Sequence, residues 1–150
     1  MPFFSPKYFV FGMRPNPRVC YIDPEVPKAL GFELQLIDDA NLQPSHGTGA
    51  LYLYQAPKNL PATPAGQWHR AKIVVSGRLL EHWINGVKVV EADLESAGLR
   101  AAMTAQTRPG IPKPAHLDEL INDNTKAYPI VLTHHGGDAW FRNIRIRELR

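Results

Sequence analysis

Short apolar runs recur along the chain, and in several of them apolar and polar side chains alternate. A period of two is the pattern of a half-buried β-strand, and the richness of these runs in Val, Ile, Leu and aromatic residues favours strands as well. The pattern predicts strands over Lys7–Gly12, Gly31–Asp38, Ala50–Tyr54, His69–Ser76, Leu79–Ile84, Val87–Ala92, Pro129–His134 and Ala139–Leu149.

Turn residues separate these runs, since the 14 prolines and 11 glycines lie mostly between them. Asn85-Gly86 favours a type I′ turn and predicts a β-hairpin. A proline-rich loop over 108–114 precedes a short helix predicted near 115–122, over Ala115–Asn122. Because crossover helices are missing, we expect an all-β antiparallel sandwich or jelly roll.

Composition indicates a globular protein, and we expect 1–150 to be a single domain. Cys20 is the only cysteine, so one chain contains no disulfide framework. The formal charge of +3 is too dilute to indicate a nucleic-acid partner. No run approaches the roughly 20 apolar residues of a membrane helix, and the first residues do not resemble a signal peptide, so we expect no membrane partner. The compartment stays open.

The region around Glu33 is polar on one strand face and apolar on the other. Glu33 and Gln35 alternate with Phe32, Leu34 and Leu36, and the two polar residues lie about 7 Å apart at ~3.3 Å per residue. That separation suits two hydrogen bonds to one sugar ring, although an ordinary solvated sheet face gives the same pattern. Asp38 lies ~16–17 Å from Glu33 on the opposite face, whereas glycosidase carboxylate pairs lie ~5–9.5 Å apart. The two are therefore not a catalytic dyad.

His135 ends a predicted strand just before Gly136-Gly137. An imidazole with an ordinary pKa of ~6.5 beside a loop suits a general base. The alternative is a histidine that only anchors the turn. His134 and His135 point to opposite faces, and no Cys/His spacing indicates a zinc site, so the metal, if any, is unknown.

Other polar and aromatic residues are candidates for sugar binding. Arg142, beside Asn143, presents a planar donor fork to hydroxyls or to a carboxylate, with a structural ion pair as the alternative. Trp68, Trp83 and Tyr52 could stack under a pyranose ring, although core packing explains most aromatics in a sandwich. Between apolar neighbours on its strand, His82 is interpreted as an interior histidine, with a ligand role left open.

Five motifs, in order and spacing, resemble the 3-keto-disaccharide hydrolase domain family: GFELQLIDD (31–39), TGALY (48–52), PAGQW (64–68), EHWING (81–86) and HG…WFRNIRI (135–146). The resemblance extends from about Ser5 to Leu149. It implies a concanavalin A-like jelly-roll β-sandwich with a sugar on its concave face, and cleavage of glycosides oxidised at C3. Relatives of this kind are often periplasmic or secreted.

This sequence departs from the family pattern at a few positions. His69 follows Trp68 where the family has Asn, and Thr133-His134 stand where it has Gln-Asp. The first predicted strand resembles one from the middle of the sandwich, so the opening strands are not found. We therefore expect either an N-terminally incomplete domain or a homo-oligomer or second chain that completes the sandwich, since natural proteins cover exposed strand edges.

The resemblance implies chemistry that needs one base rather than two carboxylates. A ketone at C3 acidifies the C2 hydrogen, so a base removes it and the enolate expels the C1 substituent. We expect His135 or Glu33 as the base, Gln35 and Arg142 as binding or oxyanion-stabilising groups and Asn143 as orienter, with a divalent metal left open. The alternatives are a non-catalytic carbohydrate-binding module and a subunit that works only when assembled with another chain.

Overall fold

The computed structural model describes residues 7–13, 17–21, 32–37, 42–107, 114, 118, 130–134 and 140–148. Its strands are β1 (Lys7–Met13), β2 (Pro17–Tyr21), β3 (Glu33–Leu34), β4 (His69–Ser76), β5 (Leu79–Ile84), β6 (Val87–Asp93), β7 (Ile130–His134) and β8 (Phe141–Glu148). A nine-residue helix, α1 (Ala97–Ala105), follows β6, and a 3₁₀ turn covers Pro44–His46. No helix in the described ranges has the length and apolar character needed to span a bilayer.

The strands form two sheets in which every pair is antiparallel. One sheet has five strands in the order β6-β5-β4-β1-β8, and the other has three in the order β3-β2-β7. The sheets pack face to face, with Leu34 of the smaller sheet against Ile73 and Ile84 of the larger one. The expected all-β, antiparallel fold class is therefore confirmed.

Strand alternation gives each sheet one inward and one outward side. Ile73 lies in the core, so its neighbour Lys72 lies on the outward side of the five-stranded sheet, together with its cross-strand partner Trp83. We call this side the back face. The outward side of the three-stranded sheet, which carries Glu33 and Gln35, is the front face.

Helix α1 packs against the core and was not predicted. The Ser96 hydroxyl caps it by accepting a hydrogen bond from the Leu99 amide at 3.2 Å. Leu99 and Met103, four residues apart on one helix face, pack with Leu80 of β5. Of the helix predicted near 115–122, only Asp118 lies among the described residues, where it is helical and pairs with Arg100 of α1.

The hairpin between β5 and β6 is confirmed. Asn85 and Gly86 have φ values of 49° and 88°, and a type I′ turn needs positive φ at both positions. The bounds of β1, β4, β5, β6, β7 and β8 agree with the predicted strands to within two residues. Alternation and turn residues were sufficient for this part of the fold.

Two predicted strands need correction, and one strand was not predicted. The expected strand Gly31–Asp38 contains only the two-residue β3 among its described positions, and the strand over Ala50–Tyr54 is wrong. There the chain makes one bridge, from Leu51 to β3, and then turns back so that Leu51 also bridges Gln55. Strand β2 was not predicted, because its sequence begins with a proline and lacks a clear alternation.

The inward sides of two edge strands are partly uncovered. Ile146 is aligned through β1 with the core residue Ile73, yet it is 60% exposed, and Ile144 on the same side is 50% exposed. On β7, Leu132 is aligned through β2 with Leu34 and is 37% exposed. Whether a second copy or another chain completes the sandwich here stays a prediction.

Candidate functional site

Two polar side chains of the front face are almost fully buried. Glu33 is 2% exposed and Gln35 1%, although both point away from the core that Leu34 and Leu36 enter. A solvated sheet face would expose them, so burial excludes that alternative for this pair. Polar groups are taken out of water at a cost unless they find partners, which makes the surroundings of this pair informative.

The segment Thr48–Tyr52 flanks the pair. The backbone amide of Gln35 donates to the backbone carbonyl of Ala50 at 3.1 Å, and the backbone amide of Tyr52 donates to the backbone carbonyl of Glu33 at 3.0 Å. The antiparallel bridge between Leu34 and Leu51 sets Tyr52 directly opposite Glu33, and directly opposed residues share a sheet face. The structure therefore brings three of the predicted site residues together: Glu33, Gln35 and Tyr52.

His46 joins this group and was not predicted. Its ring packs edge-on against the Tyr52 ring, with 5.2 Å between the ring centres and 89° between the planes. The 3₁₀ turn Pro44–His46 positions it, and its hydrogen bond with Ser45 spans 3.3 Å. The only signal in the sequence was Pro44 at the start of a short turn, which indicates a loop but no function.

Thr48 and Gly49 fix the segment in place. The Thr48 hydroxyl donates to the Ile37 carbonyl at 2.6 Å, and its oxygen accepts from the Ile37 amide at 2.9 Å. Gly49 has φ +86°, and a Cβ there would lie 3.1 Å from the Val89 side chain and 3.2 Å from that of Leu60. The first two residues of the TGALY motif are thus explained: Thr48 makes two hydrogen bonds to the Ile37 backbone, and Gly49 occupies a position that only glycine fills without strain.

His82 supports the same segment from inside the sandwich. It is fully buried, and its Nδ1–H donates to the Gly49 carbonyl at 3.1 Å. Burial lowers the pKa of His82 to about 4, because the charged imidazolium would lose its hydration. The interpretation of His82 as an interior histidine is confirmed. The backbone amide of Gly49 in turn donates to the backbone carbonyl of Gln35 at 2.7 Å, so His82 is linked through Gly49 to the strand that carries Gln35.

Gln35 has an unused hydrogen-bonding atom. Within the part of the chain that the structure describes, its buried Oε1 has no partner. A buried acceptor without a donor costs about 1–3 kcal/mol, and a ligand hydroxyl placed there would recover that energy. A carboxylate, an amide and a phenol on one face can accept a proton, orient hydroxyls and donate to a developing oxyanion.

The remaining predicted binding residues lie elsewhere. Gly12 of β1 is aligned with both Arg142 and Arg70, so these two arginines share a face of the sheet. Arg70 is next to the core residue Ala71 and therefore points outward, which places Arg142 on the back face. Its guanidinium lies 4.0 Å from the centre of the Trp68 ring. Arg142 and Glu33 therefore lie on different faces of the sandwich, and a sugar-binding role for Arg142 stays a prediction.

Trp83 and Asn143 also lie away from the front-face group. On the back face, Trp83 carries the Lys72 ammonium 3.7 Å from its ring centre, and its indole N–H donates to Glu81 at 2.8 Å. Asn143 has φ 56° at the point where the register of β8 with β1 shifts, so its residue type is explained by a bulge. Sugar-binding roles for Trp83 and Asn143 stay predictions, since neither lies beside Glu33 and Gln35.

His135 lies outside the described residues, as does the Gly136-Gly137 pair that follows it. Thr133 and His134 belong to β7. Among the described residues there is no group of three or more His, Cys, Asp or Glu side chains that could hold a metal ion. Glu33 is thus the predicted base whose surroundings the structure describes.

The fold and the buried polar group define an antiparallel β-sandwich with a carboxylate and an amide set into one sheet face, and the comparisons with known proteins agree with this class. The model of the 3-keto-alpha-glucoside-1,2-lyase-like domain matches residues 12–147. The chain therefore belongs to that family, and the predicted resemblance is confirmed.

Individual relatives point the same way. The chain is 30% identical over 127 residues to a 3-keto-disaccharide hydrolase from Bacteroides thetaiotaomicron, a match that covers 78% of this chain and 43% of that protein. The chain thus spans less than half the length of this curated relative.

Two crystal structures from Parabacteroides distasonis, each described provisionally as a glycosyl hydrolase, share the fold. One has a TM-score of 0.76 at 18% identity, and the alignment covers all of this chain and 73% of the chain in that structure. The other has a TM-score of 0.69 at 26% identity, and the alignment covers 97% of this chain and 78% of the chain in that structure.

Proposed function

We propose that this chain cleaves 3-keto-glycosides, as a hydrolase that acts by elimination followed by addition of water. The family and the name of the relative from Bacteroides thetaiotaomicron support this substrate class. The observation that carries the proposal is the buried front-face group, in which a carboxylate, an amide with an unpartnered oxygen and a tyrosine lie side by side.

The reaction is neutral in oxidation state. A base takes the proton from C2, and the electron pair of that C–H bond forms an enolate with the C3 ketone. The enolate then expels the C1 oxygen substituent, which leaves as an alcohol after gaining a proton. Water adds to C1 of the resulting enone, and a proton returns to C2, so the net change is hydrolysis of the glycosidic bond.

Each front-face residue has a role in this scheme. Glu33 takes the C2 proton, because a carboxylate is an acceptor and its neighbours hold its strand in place. The Gln35 amide group binds hydroxyls on the sugar ring, and Tyr52 donates to the enolate oxygen. His135 remains the second candidate base, and Arg142 is left out because it lies on the back face.

The experiment is incubation of the purified chain with a 3-keto-glucoside, with and without an added divalent cation, while aglycone release is measured. Glu33→Gln keeps the shape of the side chain and removes the base, so we expect kcat to fall by about 10²–10⁴-fold. Glu81→Gln, the same change on the back face, is the matched control and should leave kcat unchanged. Release that depends on the cation would show that a metal takes part.

Solvent exchange gives a second test of proton abstraction. In heavy water the wild-type chain should place deuterium at C2 of the released 3-keto sugar, because the proton removed there is replaced from solvent. Full activity in Glu33→Gln would transfer the role of base to another residue, with His135→Ala as the next variant. Cleavage without exchange at C2 would exclude the elimination route.

A carbohydrate-binding module of the same fold is the second candidate. It is favoured by the position of Arg142, since this predicted oxyanion-stabilising group does not lie beside Glu33 and Gln35. A module would bind the 3-keto-glucoside without turnover. In that case Gln35→Ala should weaken binding, whereas His135→Ala should leave it unchanged.

A further inference from the structure

Four basic side chains of the back face form a square, made of Arg70 and Lys72 on β4 and Arg142 and Arg145 on β8. Strand β1 lies between them and sets their alignment, because Gly12 pairs with both Arg70 and Arg142, and Val10 pairs with both Lys72 and Arg145. Residues directly opposite across strands share a face. The four cations therefore project from the same side of the sheet.

The dimensions of this back-face square follow from sheet geometry. Two strand spacings separate β4 from β8, or about 9.5 Å, and Arg70 and Lys72 lie about 6.7 Å apart along β4. A flat array of positive charges at these separations is unfavourable unless counterions or a ligand neutralise it.

The square differs from three basic side chains elsewhere in the described part of the chain. Arg78, Lys88 and Arg100 each pair with a carboxylate. Among the described residues, none of the four cations in the square forms an ion pair. The nearby carboxylate of Glu81 is already occupied by Lys88 and by the Trp83 indole.

Two tryptophans hold part of the square in position. The Arg142 guanidinium lies over the Trp68 ring at 4.0 Å, and the Lys72 ammonium lies over the Trp83 ring at 3.7 Å. Such cation–π contacts restrict otherwise flexible side chains. Charged side chains that are already restrained lose less conformational entropy when a ligand binds.

We propose that the back-face square binds a polysaccharide that carries uronate carboxylates. Arg guanidinium groups match carboxylates with two parallel hydrogen bonds, and repeated carboxylates along a polymer can meet cations spaced over a flat face. The choice of a carbohydrate over a nucleic acid rests on the proposed function. It agrees with the geometry, since each tryptophan already carries a cation on a ring face, and nucleic-acid sites on sheets use open aromatic faces for bases.

Binding at the back face leaves the front face free, because the two lie on opposite sides of the sandwich. The square would hold the chain on an acidic polymer while the front-face group acts on a small 3-keto sugar. Anchoring of this kind raises the local concentration of a catalyst near its substrate.

The test is calorimetric titration of the full chain with polygalacturonate at about 50 mM salt, where surface charges are weakly screened. The double variant Lys72→Gln/Arg145→Gln should bind about tenfold more weakly, since two exposed ion contacts are lost. Lys58→Gln/Arg78→Gln removes the same two charges elsewhere and should bind like the wild type. Neutral dextran should not bind.

Several results would overturn the proposal. Equal losses in the two double variants would mean attraction by net charge alone, and no binding of polygalacturonate would exclude the site directly. Duplex DNA that binds as tightly as the polymer would assign the square to nucleic acid. Glu33→Gln should bind polygalacturonate normally, so loss there would place the polymer on the front face. None of these readouts depends on hydrolysis of a 3-keto-glucoside.

Discussion

The two outward faces of the sandwich carry polar residues in very different states. On the front face, Glu33 and Gln35 are buried and their backbone is bonded to the segment over Thr48–Tyr52. On the back face, charged side chains are partly or fully exposed, and some of them, such as Lys88 and Glu81, pair with each other.

The difference shows that burial, more than polarity, separates a candidate site from an ordinary surface. Alternation of polar and apolar residues places polar side chains outward in both sheets. Only the front face encloses them, and enclosure strengthens hydrogen bonds and raises the cost of leaving one unmade. Substitutions in the two faces should therefore have different consequences for stability and for activity.

The largest effect on stability should come from His82, which supports the front face from within. Between pH 6.5 and about 4 the unfolded chain binds a proton at this histidine and the folded chain does not, so the free energy of unfolding rises with pH in this window. A pKa of about 4 in the folded chain, against 6.5 in the unfolded chain, corresponds to about 3 kcal/mol of unfolding free energy lost by pH 4.

Urea unfolding at a series of pH values measures this slope. His82→Leu should flatten the part of the curve that the buried imidazole causes, whereas His69→Gln, a change at a half-buried histidine with hydrogen bonds to Pro64 and Asn85, should leave it in place. A slope that survives in His82→Leu would assign the acid sensitivity to other groups.

Gln35→Leu should separate function from stability. Leucine has a similar volume, and removing an amide whose buried Oε1 lacks a partner among the described residues should leave the unfolding free energy unchanged or raise it. Loss of the hydrogen bonds to substrate should nevertheless lower kcat/KM by about tenfold to a hundredfold. Unchanged kcat/KM would exclude Gln35 from substrate binding, and a large loss of unfolding free energy would assign it a structural role instead.

Gly49→Ala tests the tight approach behind the front face. The new Cβ meets Val89 and Leu60 at 3.1–3.2 Å and has to adopt a φ of +86°. We expect a loss of about 2–3 kcal/mol in the free energy of unfolding.

Gly77→Ala is the control for this measurement. Gly77 also has positive φ, +57°, but a Cβ there meets no atom within 4 Å. It should cost about 1 kcal/mol from backbone strain alone. Equal costs at the two glycines would show that the close packing at Gly49 relaxes freely.

Much of the fold could be predicted from the sequence, because local signals decide it. The Asn85-Gly86 turn and the alternation in β4, β5 and β6 specify the hairpins of the five-stranded sheet. By contrast, β3 and the turn after Leu51 depend on contacts with strands distant in sequence, and alternation alone does not show where regular pairing stops. Helix α1 was not predicted, because only Leu94 and Glu95 separate its Ser96 cap from the acidic end of β6 and no loop marks its start.

The candidate site was predictable only in part, for a related reason. The pattern placed Glu33 and Gln35 on one face, but their burial and their position opposite Tyr52 depend on the bridge between Leu34 and Leu51. The face on which Arg142 lies could not be predicted, because one strand's alternation does not show which side of a sheet meets the core. That information comes from the register of β8 with β1.

The smallest effect should come from the back-face ion pairs. Lys88 contacts both Glu81 and Glu91, and these contacts raise its pKa, yet Lys88 and Glu91 are solvent-exposed and Glu81 is only partly buried. Lys88→Gln should therefore change the unfolding midpoint little, and at about 1 M salt, where the Debye length is about 3 Å, the difference from wild type should disappear. A large, salt-resistant loss would mean that the back face contributes to stability as the front face does, and the contrast between the two faces would fail.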